Sequence, residues 1–544
     1  MTLPWWQSGI IYQIYPRSFA DSNGDGIGDL NGIISRLDYL SSLGVDAVWL
    51  SPIYPSPDAD FGYDVSDYCA VDPKFGSLED FDRLVSQAHA RGIRVVLDLV
   101  LNHTSDQHPW FLEARKSREN PRRSWYIWAD PKPGGRPPNN WQSVFGGPGW
   151  ELDPATGQCY YHMFTRQQPD LNWRNPDTRR ALLDVFRFWL ERGVDGFRLD
   201  VFNVYFKNAS LTDNPVRFPV PIVPFFGQQH DNDFDQPEMI PLLGEIRTIL
   251  DEYSAPGRER YAVGEPLFSN PRKAAMYTGR DRLHAAFNFE FLNSGWSPRR
   301  LEQSVRRWED ALGPDNWPNY VFNNHDVPRS ATRFRRLGSP EDDARLKVAA
   351  ALLLTLRGTP FLYYGEEIGM RDIPIRSRAE VLDPVGKRFW PFMKGRDGCR
   401  SPMQWDSGPN AGFAPPGARP WLPVHPDAAV RNVAAQEADP HSLLNFYRRL
   451  IAVRRANPAL VDGMFQPLTF GTRYLMAYLR QNASQTVLVA LNFSGRRQRL
   501  VLGSRLARPD WTLLLSTHRG SPPSLLRGSL LALEPHEALI LALP

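Results

Sequence analysis

Three stretches of the 544-residue chain repeat one unit: an amphipathic helix, a glycine able to end it in the left-handed conformation, and a short apolar strand with polar residues at its end. In the first, Leu30, Ile33, Ile34, Leu37 and Leu40 keep helical spacing, Gly44 stops the helix, and residues 45–50 follow as a strand. In the second, Ser77 with Asp80 forms a capping-box pattern and Phe81, Leu84, Val85 and Ala88 make the buried face. Gly92 ends that helix before the strand Arg94–Leu99. In the third, Asp177 is the expected cap, Leu182, Leu183, Phe186 and Leu190 line one face, and Gly193 precedes a strand over residues 196–200. Strands of the same type are predicted at residues 10–14, 261–265, 285–290, 320–326 and 360–366, eight in all. Alternation of this kind with eight parallel strands predicts a closed (β/α)8 barrel. A doubly wound open sheet would need fewer strands and a Gly-rich phosphate loop after the first, which the chain lacks.

The alternation breaks between Thr104 and Trp173, where Pro131, Pro133, Pro137, Pro138 and the pair Gly146-Gly147 lie among many Trp and Tyr residues. That run is too long for an ordinary βα loop and reads as an inserted subdomain. Beyond a helix starting at Leu443, short alternating runs at residues 474–479, 486–491 and 531–543 read as a C-terminal β-sandwich. The expected organisation is a barrel over residues 1–103 and 174–462, an insertion over 104–173 and a sandwich over 463–544. A chain of this length exceeds what one core supports, roughly 250 to 300 residues, so smaller attached domains are in keeping with its size. A formal net charge of +3 gives no ground for a nucleic-acid or anionic-membrane partner. Cys69, Cys159 and Cys399 form neither a disulfide framework nor a zinc cluster. With no basic and apolar leader and no run of roughly 18 apolar residues, the expectation is a soluble, cytoplasmic protein.

In such a barrel chemistry sits where strands end. Here four strands bring carboxylates to one rim: Asp98 before Asn102-His103, Asp200 after Arg198, Glu265 after Gly264, and Asp326 after Asn323-Asn324-His325. Arg198 and Asp200 project the same way, and a fixed guanidinium would hold Asp200 ionised. Glycoside hydrolysis with retention needs a second carboxyl about 5 to 5.5 Å from the nucleophile, kept protonated by a less polar setting. Glu265 on the next strand is placed for that task, and Asp326 beside His325 for stabilising an oxocarbenium-like transition state.

At these strand ends the sequence resembles the α-amylase superfamily, glycoside hydrolase family 13, whose signature regions look like residues 98–103, 196–203, 264–266 and 322–326. The likeness extends to residues 9–19, 168–173, 358–370 and 396–405. It implies Asp200 as nucleophile, Glu265 as acid/base and Asp326 as stabiliser, with His103, Arg198 and His325 binding sugar hydroxyls. Gln168-Pro-Asp-Leu-Asn-Trp173 is similar to the oligo-1,6-glucosidase and α-glucosidase branch, which implies short oligosaccharide or disaccharide substrates. In that branch Asp64 of Gly62-Tyr63-Asp64 would pair with Arg400 and close the pocket's blind end, which gives exo action. Tyr63 and Phe164 would flank the innermost glucose. Val201 after the nucleophile resembles α-1,6-acting members, whereas the long run 207–236 resembles broad or α-1,4-preferring ones. The reading is a retaining exo-α-glucosidase of broad linkage. The alternatives are a glucosyltransferase, a sucrose or trehalose isomerase, and, remotely, a non-catalytic carbohydrate-binding subunit. Residues 334–338, Phe-Arg-Arg-Leu-Gly, do not decide between hydrolase and isomerase.

Residues 21–29 place oxygens at alternate positions with glycine at the turn, like the first part of a Ca²⁺ loop, yet Gly32 stands where an EF-hand has its Glu. Resemblance to the branch implies a structural Ca²⁺ or Mg²⁺ held by Asp21, Asn23, Asp25, the Ile27 carbonyl and Asp29.

Overall fold

Eight short parallel strands make one curled sheet in this computed structural model, which describes residues 3–219, 221, 223–335, 342–469, 472–507, 510–519, 525–526 and 528–543. In chain order they are β1 Ile11–Ile14, β2 Ala47–Leu50, β3 Arg94–Leu99, β4 Gly196–Leu199, β5 Tyr261–Gly264, β6 Ala285–Ala286, β7 Asn319–Val321 and β8 Thr359–Tyr363. Hydrogen-bonded neighbours run β7-β8-β1-β2-β3-β4-β5-β6, and all of these pairings are parallel. This is a nearly closed barrel. Its seam lies between β6 and β7, where β6 has only two residues to offer. Strand residues such as Ile11, Val96 and Phe361 are essentially inaccessible, because helices cover one face of the sheet and the barrel interior the other. Residues 336–338, within the segment that left hydrolase and isomerase unresolved, lie outside the described residues.

The repeated unit is present with local differences. Gly44, Gly92 and Gly193 hold φ of 93°, 72° and 91°, the left-handed turn that ends each helix. The capping box of Ser77 and Asp80 has both reciprocal bonds, on a helix spanning Leu78–Ala90. The first helix is two short ones, Leu30–Ser35 and Leu37–Leu43, separated at Arg36. In the third unit the cap is Asn175, not Asp177: its side chain accepts the N–H of Asp177 and Thr178. Pro176 explains the two-residue shift, since its preset φ and missing N–H suit the first helical position and make the residue before it, Asn175, the cap.

Three predicted strands are shorter than expected, two because an asparagine side chain intervenes and one because a glycine turns the chain. Asn288 accepts from the N–H of Glu290 and Phe291 and starts the helix Phe289–Leu292, so β6 stops at Ala286. Asn324 accepts from the N–H of Asp326 and Val327 and turns the chain after β7. Gly365, with φ 77°, turns it after β8.

Between β3 and the helix Pro176–Glu191 the insertion carries an antiparallel sheet of Trp128–Ala129, Gln158–Tyr161 and Trp150–Asp153. Trp141, Trp150, Tyr161 and Phe164 form a core with Val201 and Phe225, so the insertion packs directly beside the end of β4. After the helix Leu443–Ala456 the chain forms a six-stranded antiparallel sheet and a separate pair, Gln498–Val501 with Leu530–Leu533. Leu500, Leu531 and Leu533 share a core with Leu488 and Leu541, which makes two packed layers. The run 531–543 divides into Leu530–Leu533 and Ala538–Leu543. Among the described residues no helix is long and apolar enough to cross a membrane.

Candidate active site

Register places the chemistry. Asp98 of β3 pairs with Arg198 of β4, and Leu199 pairs with Gly264 of β5. The ladder continues one step further: Asp200 N–H donates to the Leu99 carbonyl and Glu265 N–H to that of Leu199, both at 2.9 Å. Asp200 and Glu265 are therefore neighbours on adjacent strands. Gly264 leaves room for the Phe202 ring beside the strand end, because a Cβ there would stand 2.4 Å from it.

Arg198 lies beneath them, 1% exposed. Its Nη1 donates to Asp98 Oδ1 and Asp200 Oδ1, each at 2.7 Å, and its Nη2 forms an ion pair with Glu265 Oε2. One guanidinium thus holds three carboxylates. Glu265 meets the same cation as Asp200 because Arg198 sits between β3 and β5. Burial raises the Asp200 carboxyl above the usual range, Arg198 opposes that rise, and the nearby Asp98 adds to it. Arg198 offsets only part of the effect of burial, since its charge is divided.

Asp200 and Glu265 open into a cavity of about 1100 Å³, together with Tyr63, His103, Phe164, Val201, His325 and Asp326. Arg198 underlies the floor. His325 accepts from Gln13 Nε2 at Nδ1, 2.9 Å, which leaves Nε2–H facing Asp326 Oδ2 at 3.3 Å. Burial pushes the His325 pKa down to about 3, so the ring is neutral at ordinary pH. Tyr63 stacks on it at 5.1 Å and 4° and donates its hydroxyl to Asp98 Oδ2 at 3.0 Å. For Asp326, burial would raise the carboxyl, yet the His325 N–H facing it and the Arg396 and Arg400 charges bring it below the usual range. His103 Nδ1 receives the Asn102 amide at 3.2 Å, which directs its Nε2–H to the Tyr63 carbonyl at 3.0 Å. Phe164 lies 5.1 Å from the His103 ring. Val201 holds φ 36° and ψ 39°, a left-handed conformation that costs a β-branched residue about 1–3 kcal/mol.

The expected pairing of Asp64 with Arg400 is corrected. Asp64 accepts from Ser56 Oγ and from the N–H of Ala59 and Asp60, at 2.8 to 2.9 Å, and so organises the turn ahead of it. Gly62, at φ 103°, reverses the chain between the two acids. Asp60 is the acid that lines the cavity, and it pairs with Arg396. Arg396 also holds Asp383 Oδ1 through Nε at 2.7 Å and reaches Asp326 Oδ1 at 3.3 Å. Arg400 donates to the His325 carbonyl at 2.8 Å and to Asp326 Oδ1 at 3.2 Å. This network walls the inner end of the pocket. Gln168, another residue without an expected role, lines the cavity and meets Asp60 and His103 at 3.4 and 3.1 Å.

The cation loop lies away from this pocket. Asp21 accepts from the N–H of Asn23, Gly24 and Gly26, and Asp25 from that of Ile27. Asp29 caps the helix at Leu30 and bonds Ser22. Among the described residues no three His, Cys, Asp or Glu side chains are gathered as a metal cluster. The donor set is all oxygen, which suits a hard divalent cation, with Asp21 Oδ1 already accepting two backbone N–H groups and Oδ2 one.

A (β/α)8 barrel with paired carboxylates on one rim and a walled inner pocket is the construction of a glycoside-cleaving enzyme. The chain belongs to the α-amylase family: residues 13–463 match the model of the α-amylase catalytic domain. It is 48% identical to a probable α-glucosidase of Rhizobium meliloti over 503 residues, 90% of this chain and 89% of that one. It is 39% identical to an oligo-1,6-glucosidase of Parageobacillus thermoglucosidasius over 554 residues, covering 94% and 95%. The solved structure of an α-glucosyl transfer enzyme, XgtA, superposes with a TM-score of 0.92 at 42% identity, over 99% of this chain and 100% of that one.

Proposed function

We propose that the protein is a retaining exo-α-glucosidase that releases terminal glucose from short α-glucosides, with Asp200 as nucleophile, Glu265 as acid/base and Asp326 as transition-state stabiliser. The observation that carries this reading is the shared guanidinium: Asp200 and Glu265 bind two nitrogens of Arg198, which supports the short carboxylate separation of retaining enzymes, about 5–5.5 Å, over the longer inverting one. Asp200 attacks the anomeric carbon as Glu265 gives its proton to the departing oxygen, leaving a glucosyl ester on Asp200. Glu265, now a carboxylate, takes a proton from water, which attacks the same carbon and returns the electron pair to Asp200. Two inversions retain the α configuration. Asp326, His325 and His103 would receive or donate to ring hydroxyls as charge develops at the anomeric carbon. Asp60 and Arg396 at the inner end would bind the far hydroxyls of a terminal glucose, which supports exo action on disaccharides and short oligosaccharides. Val201 supports α-1,6 bonds among the substrates, with α-1,4 bonds also accepted.

Glucose released from isomaltose and maltose, followed by NMR before mutarotation, tests this: α-glucose is expected, and β-glucose would refute retention. Asp200→Asn should cut turnover by at least 10³-fold with unchanged far-ultraviolet circular dichroism. The similarity to a transfer enzyme favours one second reading, that an alcohol competes with water for the same intermediate. A Ca²⁺ or Mg²⁺ at Asp21, Asn23, Asp25, Ile27 and Asp29 would be structural, bracing the turn between β1 and Leu30–Ser35. The division into barrel, insertion and sandwich near residues 103, 173 and 462, and a cytoplasmic site of action in keeping with three free cysteines, complete the proposal.

A further inference from the structure

A glutamine stands in the barrel interior, behind the lining of the pocket. Gln13 is the third residue of β1 and is 1% exposed. Side chains two apart on a strand share a face, so it points with Ile11 into the core that Ile11 forms with Trp49, Val96, Val321 and Phe361. Its Nε2 donates to Ser51 Oγ at 3.2 Å and meets His325 Nδ1 at 2.9 Å. Packing sets the plane of that imidazole: Tyr63 and Tyr15 lie parallel to it at 5.1 and 6.1 Å, and Trp49 meets it edge-on at 6.3 Å. Packing of this kind is indifferent to which ring nitrogen carries the proton. Burial, with Arg198, Arg396 and Arg400 around the ring, outweighs the pull of Asp326 and leaves the ring neutral, with a single N–H to place. Asp326 Oδ2, 3.3 Å from Nε2, can only accept, which requires the proton at Nε2 and a lone pair at Nδ1. Gln13 supplies the N–H that this lone pair needs. Turned over, its amide would set Oε1 against Nδ1, draw the proton there and leave the Nε2 lone pair against the Asp326 carboxylate.

We propose that Gln13 is a positioning residue that selects the Nε2–H tautomer of His325. This side of the glucose subsite then pairs one donor with one acceptor, so a single sugar hydroxyl receives from His325 and donates to Asp326. The inference rests on the assignment of His325 and Asp326 to glucose binding above. It requires residue 13 to donate. A carboxylate at that position would draw the single ring proton to Nδ1 and turn the Nε2 lone pair toward Asp326. Such a pair recovers the donor at Nε2 only by taking up one further proton, either as a carboxylic acid that donates to Nδ1 or as an imidazolium with an N–H on each nitrogen. Relative to the native protein, its activity therefore recovers on acidification and falls as pH rises.

The test reads kcat/KM for isomaltose between about pH 5 and about pH 8 as a ratio of variant to native, which removes the ionisations common to both. For Gln13→Glu the ratio is expected to fall at least tenfold across that range. For Gln13→Met, which removes the donor and adds no charge, the ratio should stand about 2- to 13-fold below one at every pH, the worth of one neutral hydrogen bond. A flat ratio for Gln13→Glu, or the same slope in both variants, overturns the proposal, since a glutamine needed only for packing would weaken both alike. Should neither variant fold, the native chain decides by NMR with ¹⁵N-labelled histidine, the His325 signals being identified by their loss in His325→Asn. A lone pair at Nδ1 and a proton at Nε2 are expected at neutral pH, and a proton at Nδ1 overturns the assignment. Absence of glucose from isomaltose, maltose and p-nitrophenyl α-glucoside with the native chain removes the glucosidase reading, and with it the role of Gln13 in turnover, even where the NMR result stands.

Discussion

Replacing Asp60 by alanine separates the structural account of the pocket's inner end from the one suggested by sequence. Asp60 is 4% exposed and shares Arg396 with Asp383 and Asp326. Removing one partner of an isolated buried pair costs about 3–5 kcal/mol, but here two carboxylates remain on the cation, so the expected loss of stability is about 1–3 kcal/mol. For activity, a hydrogen bond from a sugar hydroxyl to an ionised group is worth about 1.5–3 kcal/mol. At about 1.4 kcal/mol per tenfold, kcat/KM for isomaltose should fall by about 10- to 150-fold. Asp64→Ala makes the contrast. It deletes three hydrogen bonds that organise the preceding turn, so it should lower stability by about 2–3 kcal/mol while kcat/KM per folded molecule changes by less than threefold. Urea unfolding and initial-rate kinetics on both variants supply the numbers. Asp60→Ala within twofold of native kcat/KM, with a large loss in Asp64→Ala, would refute the assignment.

Three further outcomes are expected. Burial raises the Glu366 pKa to about 7, so folding is favoured while this group is protonated; about 3 kcal/mol of stability should disappear as pH rises from about 4.5 through 7. Glu366→Gln, which keeps an uncharged side chain in place, should flatten that slope in urea titrations at pH 5 and 7, and an unchanged slope would assign it to other groups. Val201→Thr should raise the maltose-to-isomaltose ratio of kcat/KM by about 5- to 30-fold, the effect of one methyl-for-hydroxyl exchange, and no change would remove Val201 from linkage choice. Chelation should lower Tm by about 2–5 °C, recovered by added Ca²⁺, if the loop at Asp21 holds a cation; an unmoved Tm refutes it.

The barrel was legible because its units repeat, and an error in one cap or helix boundary leaves the count of strands intact. The gathering of carboxylates at one rim was legible because register on neighbouring parallel strands follows from where each strand ends. Arg198 to Asp200 is a two-residue relation on one strand, and Glu265 lies one register step beyond Gly264. The inner wall was not legible to the same degree. The sequence reading chose Asp64 and Arg400, while the structure uses Asp60 and Arg396, each four residues earlier. Both pairs stand on irregular backbone, where no period says which side chain faces the cavity: Gly62 turns the chain in one, and a short 3-10 turn over Asp397–Arg400 follows Arg396 in the other. A strand-end carboxylate can be placed by register, but how many acids share one guanidinium depends on three strands at once.

The wall built by Asp60, Arg396, Asp383, Asp326 and Arg400 has a consequence for traffic. With the far end sealed, a freed glucose has no exit except the opening by which the substrate entered, and the remainder of the substrate must leave first. The protein therefore cannot thread along a polymer; each bond cleaved requires a fresh encounter. Emptying the site, rather than cleavage, becomes the step that a crowded sugar solution slows, and glucose itself competes for the deepest position.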